Sequence, residues 1–174
     1  MGERTYPLRI VAWELTRNCN LVCIHCRASA ASGPHEGELS TGECRKIIDD
    51  IAGFSSPTMI LTGGEPLMRP DLFDIIEYGQ SKALRMVIAV NGTLVDENTA
   101  GKLKASGIRR VSLSIDGKDM QSHDSFRAVK GSFDAVMNAA RILLKTGLPF
   151  QVNTTITALN VDEIDDIYSL TRAL

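Results

Sequence analysis

Three of the four cysteines in this chain fall within eight residues, as Cys19, Cys23 and Cys26 in a C-x3-C-x2-C spacing. Thiols this dense suit a metal better than a core. Iron–sulfur clusters are held by cysteine thiolates, normally four of them. Three would leave one iron without a protein ligand, open to a substrate or a cofactor. Other readings of the same residues stay open at this point. Zinc wants four ligands in a closed site, and His25 or His35 could serve as the fourth. Cys23 and Cys26 have the C-x-x-C spacing of a redox pair. On a helix the three positions would share one face, where free cysteine packs as a small hydrophobe. Against that last reading, Asn18 and Asn20 flank Cys19, and Asn favours turns over helix interiors.

Other residues able to do chemistry are scattered along the chain: Gly63-Gly64-Glu65-Pro66, Asn91-Gly92, Ser114 with Asp116-Gly117, and a polar run holding His123, Asp124 and Arg127. Two glycines let a ligand come close to the backbone, with no Cβ in the way. Glu65 then offers a carboxylate suited to an ammonium group.

The elements that must position these groups read as alternating strands and helices. Strands are expected over 8–15, 58–61, 85–90, 109–115 and 150–156. A helix begins at Ser40, where Ser40 and Glu43 form a capping box, and it buries Cys44, Ile47, Ile48 and Ile51 before Gly53. This stripe assigns Cys44 to the core rather than to a metal. A second helix begins near 70–71 and buries Leu72, Ile75, Ile76 and Ala83. A third, capped by Asp96, buries Ala100 and Leu103. A fourth, over 132–146, buries Phe133, Val136, Ala140 and Leu143. A fifth starts at Asn160, with Glu163 three residues on. Five βα units with such connections predict an α/β fold with a parallel sheet. A partial (βα) barrel is the first expectation and a doubly wound sheet the second. In either, the binding site lies at the carboxyl ends of the strands, where the unusual residues fall. Alternation along the strands gives each a small or polar face: Ala12, Glu14 and Thr16; Ala89 and Asn91; Ser112 and Ser114; Gln151, Asn153 and Thr155. In a barrel these faces line the lumen.

The chain has 174 residues, 44% hydrophobic and 23% charged, with a net charge of −2. That balance gives no footprint for nucleic acid or an anionic membrane. The apolar run at 8–15 is interrupted by Arg9 and Glu14 and is too short to span a bilayer. Tyr6 stands where a myristoylation signal beginning at Met1-Gly2 needs Ser or Thr. Clustered cysteines outside a disulfide framework fit a reducing cytoplasm.

In CNLVCIHC at 19–26, GGEP at 63–66, NGT at 91–93, SIDG at 114–117 and HDSFR at 123–127, the chain resembles the radical S-adenosylmethionine enzymes, over nearly its whole length. The resemblance implies a [4Fe–4S] cluster on Cys19, Cys23 and Cys26, with the open iron chelated by the amine and carboxylate of S-adenosylmethionine. It implies that Gly63, Gly64 and Glu65, with Pro66, hold the methionine amine. Asn91, Ser114 and Asp116 would contact the ribose or the methionine portion, Arg127 the methionine carboxylate, and Asn153 and Thr155 the nucleoside. The family usually places an aromatic residue just before the third cysteine, near the adenine; His25 stands there. The chemistry implied is reductive cleavage to methionine and a 5′-deoxyadenosyl radical, which abstracts hydrogen from substrate. A flavodoxin- or ferredoxin-type donor would supply the electron, and no side chain need act as a catalytic base. The opening LRIVAWELTRNCNLVCIHCRASA looks most like the branch of haem-biosynthesis decarboxylases acting on tetrapyrroles, whose neighbours are peptide-modifying maturases of the SPASM type. Such a core usually has a sixth strand and often an auxiliary-cluster domain. This chain stops at Leu174 within an amphipathic pattern, so 1–174 is expected to be the N-terminal core of a longer enzyme, with small-molecule or peptide substrates and neither nucleic acid nor membrane. The rival classes are a barrel enzyme binding a phosphorylated metabolite and a zinc-stabilised binding module.

Overall fold

The computed structural model describes residues 7–33 and 35–174; the reading made at Met1, Gly2 and Tyr6 lies outside them. Five strands, β1 (Ile10–Thr16), β2 (Thr58–Gly63), β3 (Arg85–Val90), β4 (Val111–Ser114) and β5 (Phe150–Asn153), form one sheet. Their order is sequential, β1-β2-β3-β4-β5, and every pairing is parallel. Six helices connect or follow them: α1 (Thr41–Ala52), α2 (Leu72–Ser81), α3 (Glu97–Ala105), α4 (Met120–Arg127), α5 (Ser132–Thr146) and α6 (Ile164–Arg172). A doubly wound sheet needs a point where the strand order reverses, and among the described residues the order does not reverse. Sequential order with right-handed crossovers puts the helices on one face and leaves the other as the lumen of a part-barrel.

The register shows how the core is divided. Leu61, Ile88 and Val111 are in register across β2, β3 and β4 and are completely buried. They pack in one cluster with Cys44 and Ile48 of α1, Leu72, Ile75 and Ile76 of α2, Leu103 of α3 and Val136, Ala140 and Leu143 of α5. The alternate residues, Glu14, Thr62, Ala89 and Ser114, point to the lumen, as the alternation predicts. Thr16 departs from it. An irregularity between Glu14 and Thr16 shifts the register, so Thr16 is buried and donates its hydroxyl to Glu38 at 2.8 Å.

Other boundaries differ from the sequence expectation for local reasons. The first strand begins two residues late, and β4 and β5 are shorter than their apolar runs. Ala83 is exposed, in a left-handed turn after α2 with φ 60°, and Leu84 is buried instead. Gly53 does end α1, but in a right-handed conformation. The last helix opens with a short 3₁₀ turn, Val161–Glu163, and Asn160 makes no cap there; its amide donates to the carbonyls of Asp116 and Thr155. The polar run at 120–127 is a helix, α4, nucleated by an Asp119–Ser122 capping box. Among the described residues no helix is long and apolar enough to cross a membrane.

Helix α5 makes no side-chain cap of its own. Asp124 of α4 serves instead, accepting from Gly131 N at 2.6 Å, Phe133 N at 2.8 Å and the Ser132 hydroxyl at 2.8 Å. Burial alone would raise its carboxyl, but the amide bonds from Gly131 and Phe133 hold it below the usual range. A depressed carboxylate stabilises the fold above its unfolded pKa of about 3.9 and loses that contribution as pH falls through the folded value. Asp124→Ala should therefore cost about 1–2 kcal/mol in urea unfolding at pH 7, and the gap from wild type should close in acid below pH ~4. An equal gap at both pH values would contradict this.

Candidate active site

The segment from Arg17 to Ser40 leaves the end of β1 with no helix or strand among its described residues, only an isolated bridge between Asn18 and Ala31. Its fold follows from backbone bonds. Cys19 N donates to Ala31 O and Ala31 N to Arg17 O, closing the loop on itself; Cys26 N turns back to Cys23 O. The Asn18 side chain accepts from Gly33 N. Reading the three cysteines as one helical face is therefore wrong. Asn18 and Asn20 spend their hydrogen-bonding groups on turn closure and on neighbouring loops.

Each cysteine sulfur faces at least one N–H donor, and Cys19 faces a second, Asn91 Nδ2 at 4.0 Å. Leu21 N lies 3.4 Å from Cys19 Sγ, Ala30 N 3.4 Å from Cys26 Sγ, and Arg127 Nη1 3.6 Å from Cys23 Sγ. Burial pushes the Cys19 thiol up. All three line a cavity of about 430 Å³ at the carboxyl ends of the strands, within the roughly 300–1,000 Å³ of small-molecule sites. Cys44 is elsewhere, on the core face of α1 and fully buried. Among the described residues no three His, Cys, Asp or Glu side chains stand close enough to hold a single ion. His35 faces the Ala31 carbonyl at 3.0 Å. A cubane cluster spaces its ligands more widely than one ion does, and three sulfurs around an open cavity with N–H donors fit that group.

Of the residues singled out in the sequence, the cavity gathers Cys19, Cys23, Cys26, His25, Gly63, Gly64, Asn91, Ser114, Arg127 and Thr155. The His25 ring packs on Phe126 at 4.2 Å between centroids. Burial, then the charge of Arg127, lowers its pKa, so the imidazole is neutral at pH 7. Its Nδ1 and Arg127 Nε are buried without a hydrogen-bond partner among the described residues. Arg127 is not a surface charge: it is 8% exposed and ion-paired with Asp116. Asn91 is held on three sides, its N–H donating to Glu65, its amide nitrogen to Asn20 and its oxygen accepting from Thr93.

Four expected positions are not on the cavity wall. Glu65 is 0% exposed, and its two oxygens accept from Asn91 N at 2.7 Å and Leu67 N at 3.0 Å. Burial pushes its carboxyl up to about 7, against those two amide bonds and the Arg127 charge. Its carboxylate ties the end of β2 to the end of β3 rather than facing a ligand. Pro66 is buried as the first residue of a 3₁₀ turn, Pro66–Met68. Asp116 is 1% exposed and accepts from Thr155 N at 2.7 Å; it holds Arg127 and reaches the cavity only through it. Asn153 is in register with Ser114 but is exposed, and it accepts from Gln151 at 2.8 Å. It sits on the outermost strand of the described sheet, with no further strand to turn it inward.

The two glycines have a more specific reason than ligand access. A Cβ on Gly63, at φ +129°, would lie 2.3 Å from Thr16 O, and one on Gly64 would lie 2.3 Å from Asn18 O. The loop carrying Cys19 lies directly on them, through Gly64 N to Thr16 O at 2.7 Å and Glu65 N to Asn18 O at 2.8 Å.

Two supporting residues, Phe126 and Arg69, had no role in the sequence reading. Phe126 accepts from Ile24 N through its carbonyl. Arg69 donates to Leu15 O and Leu39 O at 2.6 and 2.7 Å while paired with Asp71, clamping both ends of the cysteine segment. Glu14, on the lumen face as the strand alternation predicts, lines the cavity and pairs with Arg27 at its rim, a partner the sequence did not suggest. Phe126 lies inside the HDSFR match without a role of its own, and the place of Arg69 just after the GGEP turn did not separate it from a surface charge.

Two substitutions test this geometry. Glu65→Gln leaves one backbone N–H facing an amide donor, so it should lower stability by about 1–3 kcal/mol in urea unfolding; an unchanged midpoint would contradict the assignment. Gly64→Ala should displace the Asn18–Cys19 backbone. After anaerobic incubation with iron and sulfide, it should retain far less iron than wild type, and retention of the full amount would count against the contact.

The Radical SAM superfamily profile matches residues 13–173. The AdoMet-dependent heme synthase of Methanosarcina barkeri (strain Fusaro / DSM 804) is 45% identical over 174 residues, 100% of this chain and 50% of its own length. That of Nitratidesulfovibrio vulgaris is 46% identical over 162 residues, 93% of this chain and 44% of its own. The chain thus spans about half the length of these curated relatives. Among solved structures, native anSMEcpe with bound AdoMet aligns with a TM-score of 0.78 over 96% of this chain and 49% of that one, at 23% identity, a likeness of fold. By the profile, which spans most of its length, the chain belongs to the radical SAM superfamily.

Proposed function

We propose that residues 1–174 form one core domain that binds a [4Fe–4S] cluster on Cys19, Cys23 and Cys26 and S-adenosylmethionine beside it, serving hydrogen abstraction from a haem precursor. One observation carries the reading: three thiols, each facing N–H donors, line a single cavity at the strand ends. When bound, the cofactor pair supplies a one-electron cleavage of S-adenosylmethionine to methionine and a 5′-deoxyadenosyl radical that takes a hydrogen atom from substrate.

The chain's own residues bind and orient. The backbone at Gly63 and Gly64 forms the wall nearest the cysteine loop and offers peptide groups to the methionine amine. Arg127 presents a positive charge to the methionine carboxylate, and Asp116 keeps it aimed. Asn91, Ser114 and Thr155 offer hydrogen bonds to the ribose and methionine portions. His25, neutral and stacked on Phe126, presents an aromatic edge to the adenine. Glu65 acts at one remove, by fixing Asn91. None of these groups is placed as a general base, in keeping with chemistry carried by the cofactors.

Radical SAM enzymes act on small-molecule or peptide substrates. The two relatives named as heme synthases favour a tetrapyrrole, with loss of a side-chain carboxyl as the reaction. The electron comes from outside the chain, from a low-potential flavodoxin- or ferredoxin-type donor. A reducing cytoplasm suits four free cysteines.

The test is anaerobic reconstitution followed by iron analysis, visible absorbance and titration with S-adenosylmethionine. Cys19→Ala, Cys23→Ala and Cys26→Ala should each lose most of the iron and the absorbance, and Cys44→Ala should keep both. With dithionite, the loaded protein should release methionine and 5′-deoxyadenosine. Equal iron loss in Cys44→Ala and Cys23→Ala would sink the ligand assignment.

A further inference from the structure

We infer that Arg127 sets how readily a cluster on Cys19, Cys23 and Cys26 accepts an electron, through its guanidinium contact with the Cys23 sulfur. The inference rests on the cluster reading above and goes beyond any contact with S-adenosylmethionine.

The three sulfurs are not equivalent. Cys19 and Cys26 face neutral N–H groups: the Leu21 peptide and the Asn91 side-chain amide for Cys19, the Ala30 peptide for Cys26. Cys23 faces a cation, Arg127 Nη1 at 3.6 Å. That cation has little freedom. Nη2 is ion-paired with Asp116, and Asp116 is fixed by Thr155 N at 2.7 Å, while its own N–H donates to His123 Nδ1 at 3.1 Å. His123 is 1% exposed and stays neutral, since burial and the Arg127 charge lower it to about 4. The helix carrying Arg127 is in turn joined to the cysteine loop by Ile24 N to Phe126 O at 3.2 Å and by the His25–Phe126 stack. The guanidinium and the Cys23 sulfur are therefore held in contact by elements that are themselves joined.

Reducing a thiolate-bound cluster adds negative charge where negative charge is already concentrated. A cation held against one sulfur stabilises the reduced state more than the oxidised one, and hydrogen bonds to cluster sulfurs act in the same direction. Asp116 offsets part of this, but it contacts Nη2 while Nη1 meets the sulfur, so the nearer charge is positive. The neighbouring amides cannot substitute for it, because they carry no net charge.

The experiment is a potentiometric titration of the reconstituted chain, read by electron paramagnetic resonance, before any S-adenosylmethionine is added. Arg127→Gln should shift the one-electron reduction equilibrium at least tenfold toward the oxidised state, about 59 mV. Arg127→Lys, which keeps the charge, should stay closer to wild type. A double variant, Asp116→Asn with Arg127→Gln, removes both buried charges and guards against a fold lost to an unpaired carboxylate; it should shift in the same direction as Arg127→Gln. Wild-type potentials in both glutamine variants at full iron content would overturn the inference. A lysine variant displaced as far as glutamine would also overturn it, by assigning the effect to shape. Loss of the cluster from all three variants would leave Arg127 a role in loop placement alone. Failure of the wild-type chain to assemble a cluster would instead remove the reading on which the inference stands.

Discussion

Among its described residues the cysteine segment forms no helix or strand, and its position depends on backbone contact between the end of β1 and the turn after β2. Gly64 N to Thr16 O and Glu65 N to Asn18 O continue the strand pairing one step beyond the ladder. They can form only because positions 63 and 64 carry no Cβ. Any side chain there meets a backbone carbonyl, which cannot move aside as a flexible side chain could. Cys19 follows Asn18 directly, so the first sulfur is placed by the sheet itself. Arg69 adds a second restraint by binding the carbonyls of Leu15 and Leu39, near the two ends of the segment.

Around that contact the molecule buries charge unusually close to its cavity. Glu65, Asp116 and Arg127 are all within the buried set. Buried ion pairs give little net stability because desolvation consumes most of the Coulomb gain. Their value here is directional. Glu65 accepts one amide from the turn after β2 and one from the end of β3, so the two strand ends are held at a fixed spacing. Asp116 accepts from Thr155 and pairs with Arg127, linking the ends of β4 and β5 to α4. Each carboxylate thus joins two adjacent strand ends, and the groups facing the cavity are those left over once these ties are made.

Helix α4 connects the two halves of the site. Its end supplies Phe126 to His25 and Arg127 to Cys23, and its Asp124 caps α5. A short helix with few apolar residues would be marginal in water; here its C-terminal turn is buried between the cysteine loop and α5.

By itself the sequence determined the three clustered cysteines, the separation of Cys44 onto a helix core stripe, the five βα units and the faces their strands present. These are local facts, set by spacing, capping and alternation, which require only neighbours along the chain. The sequential strand order was decided by tertiary structure, because periodicity is the same in a barrel and in a doubly wound sheet. So was the turning of Glu65 away from the cavity: a carboxylate beside two glycines suits a ligand and a backbone amide equally well, and only the approach of Asn91 N from β3 settled which it met. The burial of Arg127, the service of Asp116 to it and the exposure of Asn153 on the outermost described strand likewise depend on residues tens of positions away. The polar composition of 120–127 concealed a helix because what holds it in place, the cysteine loop and the amides of α5, is distant in sequence or lies in the next element. Contacts of that kind leave no periodic trace, and they can be read only after the chain has folded.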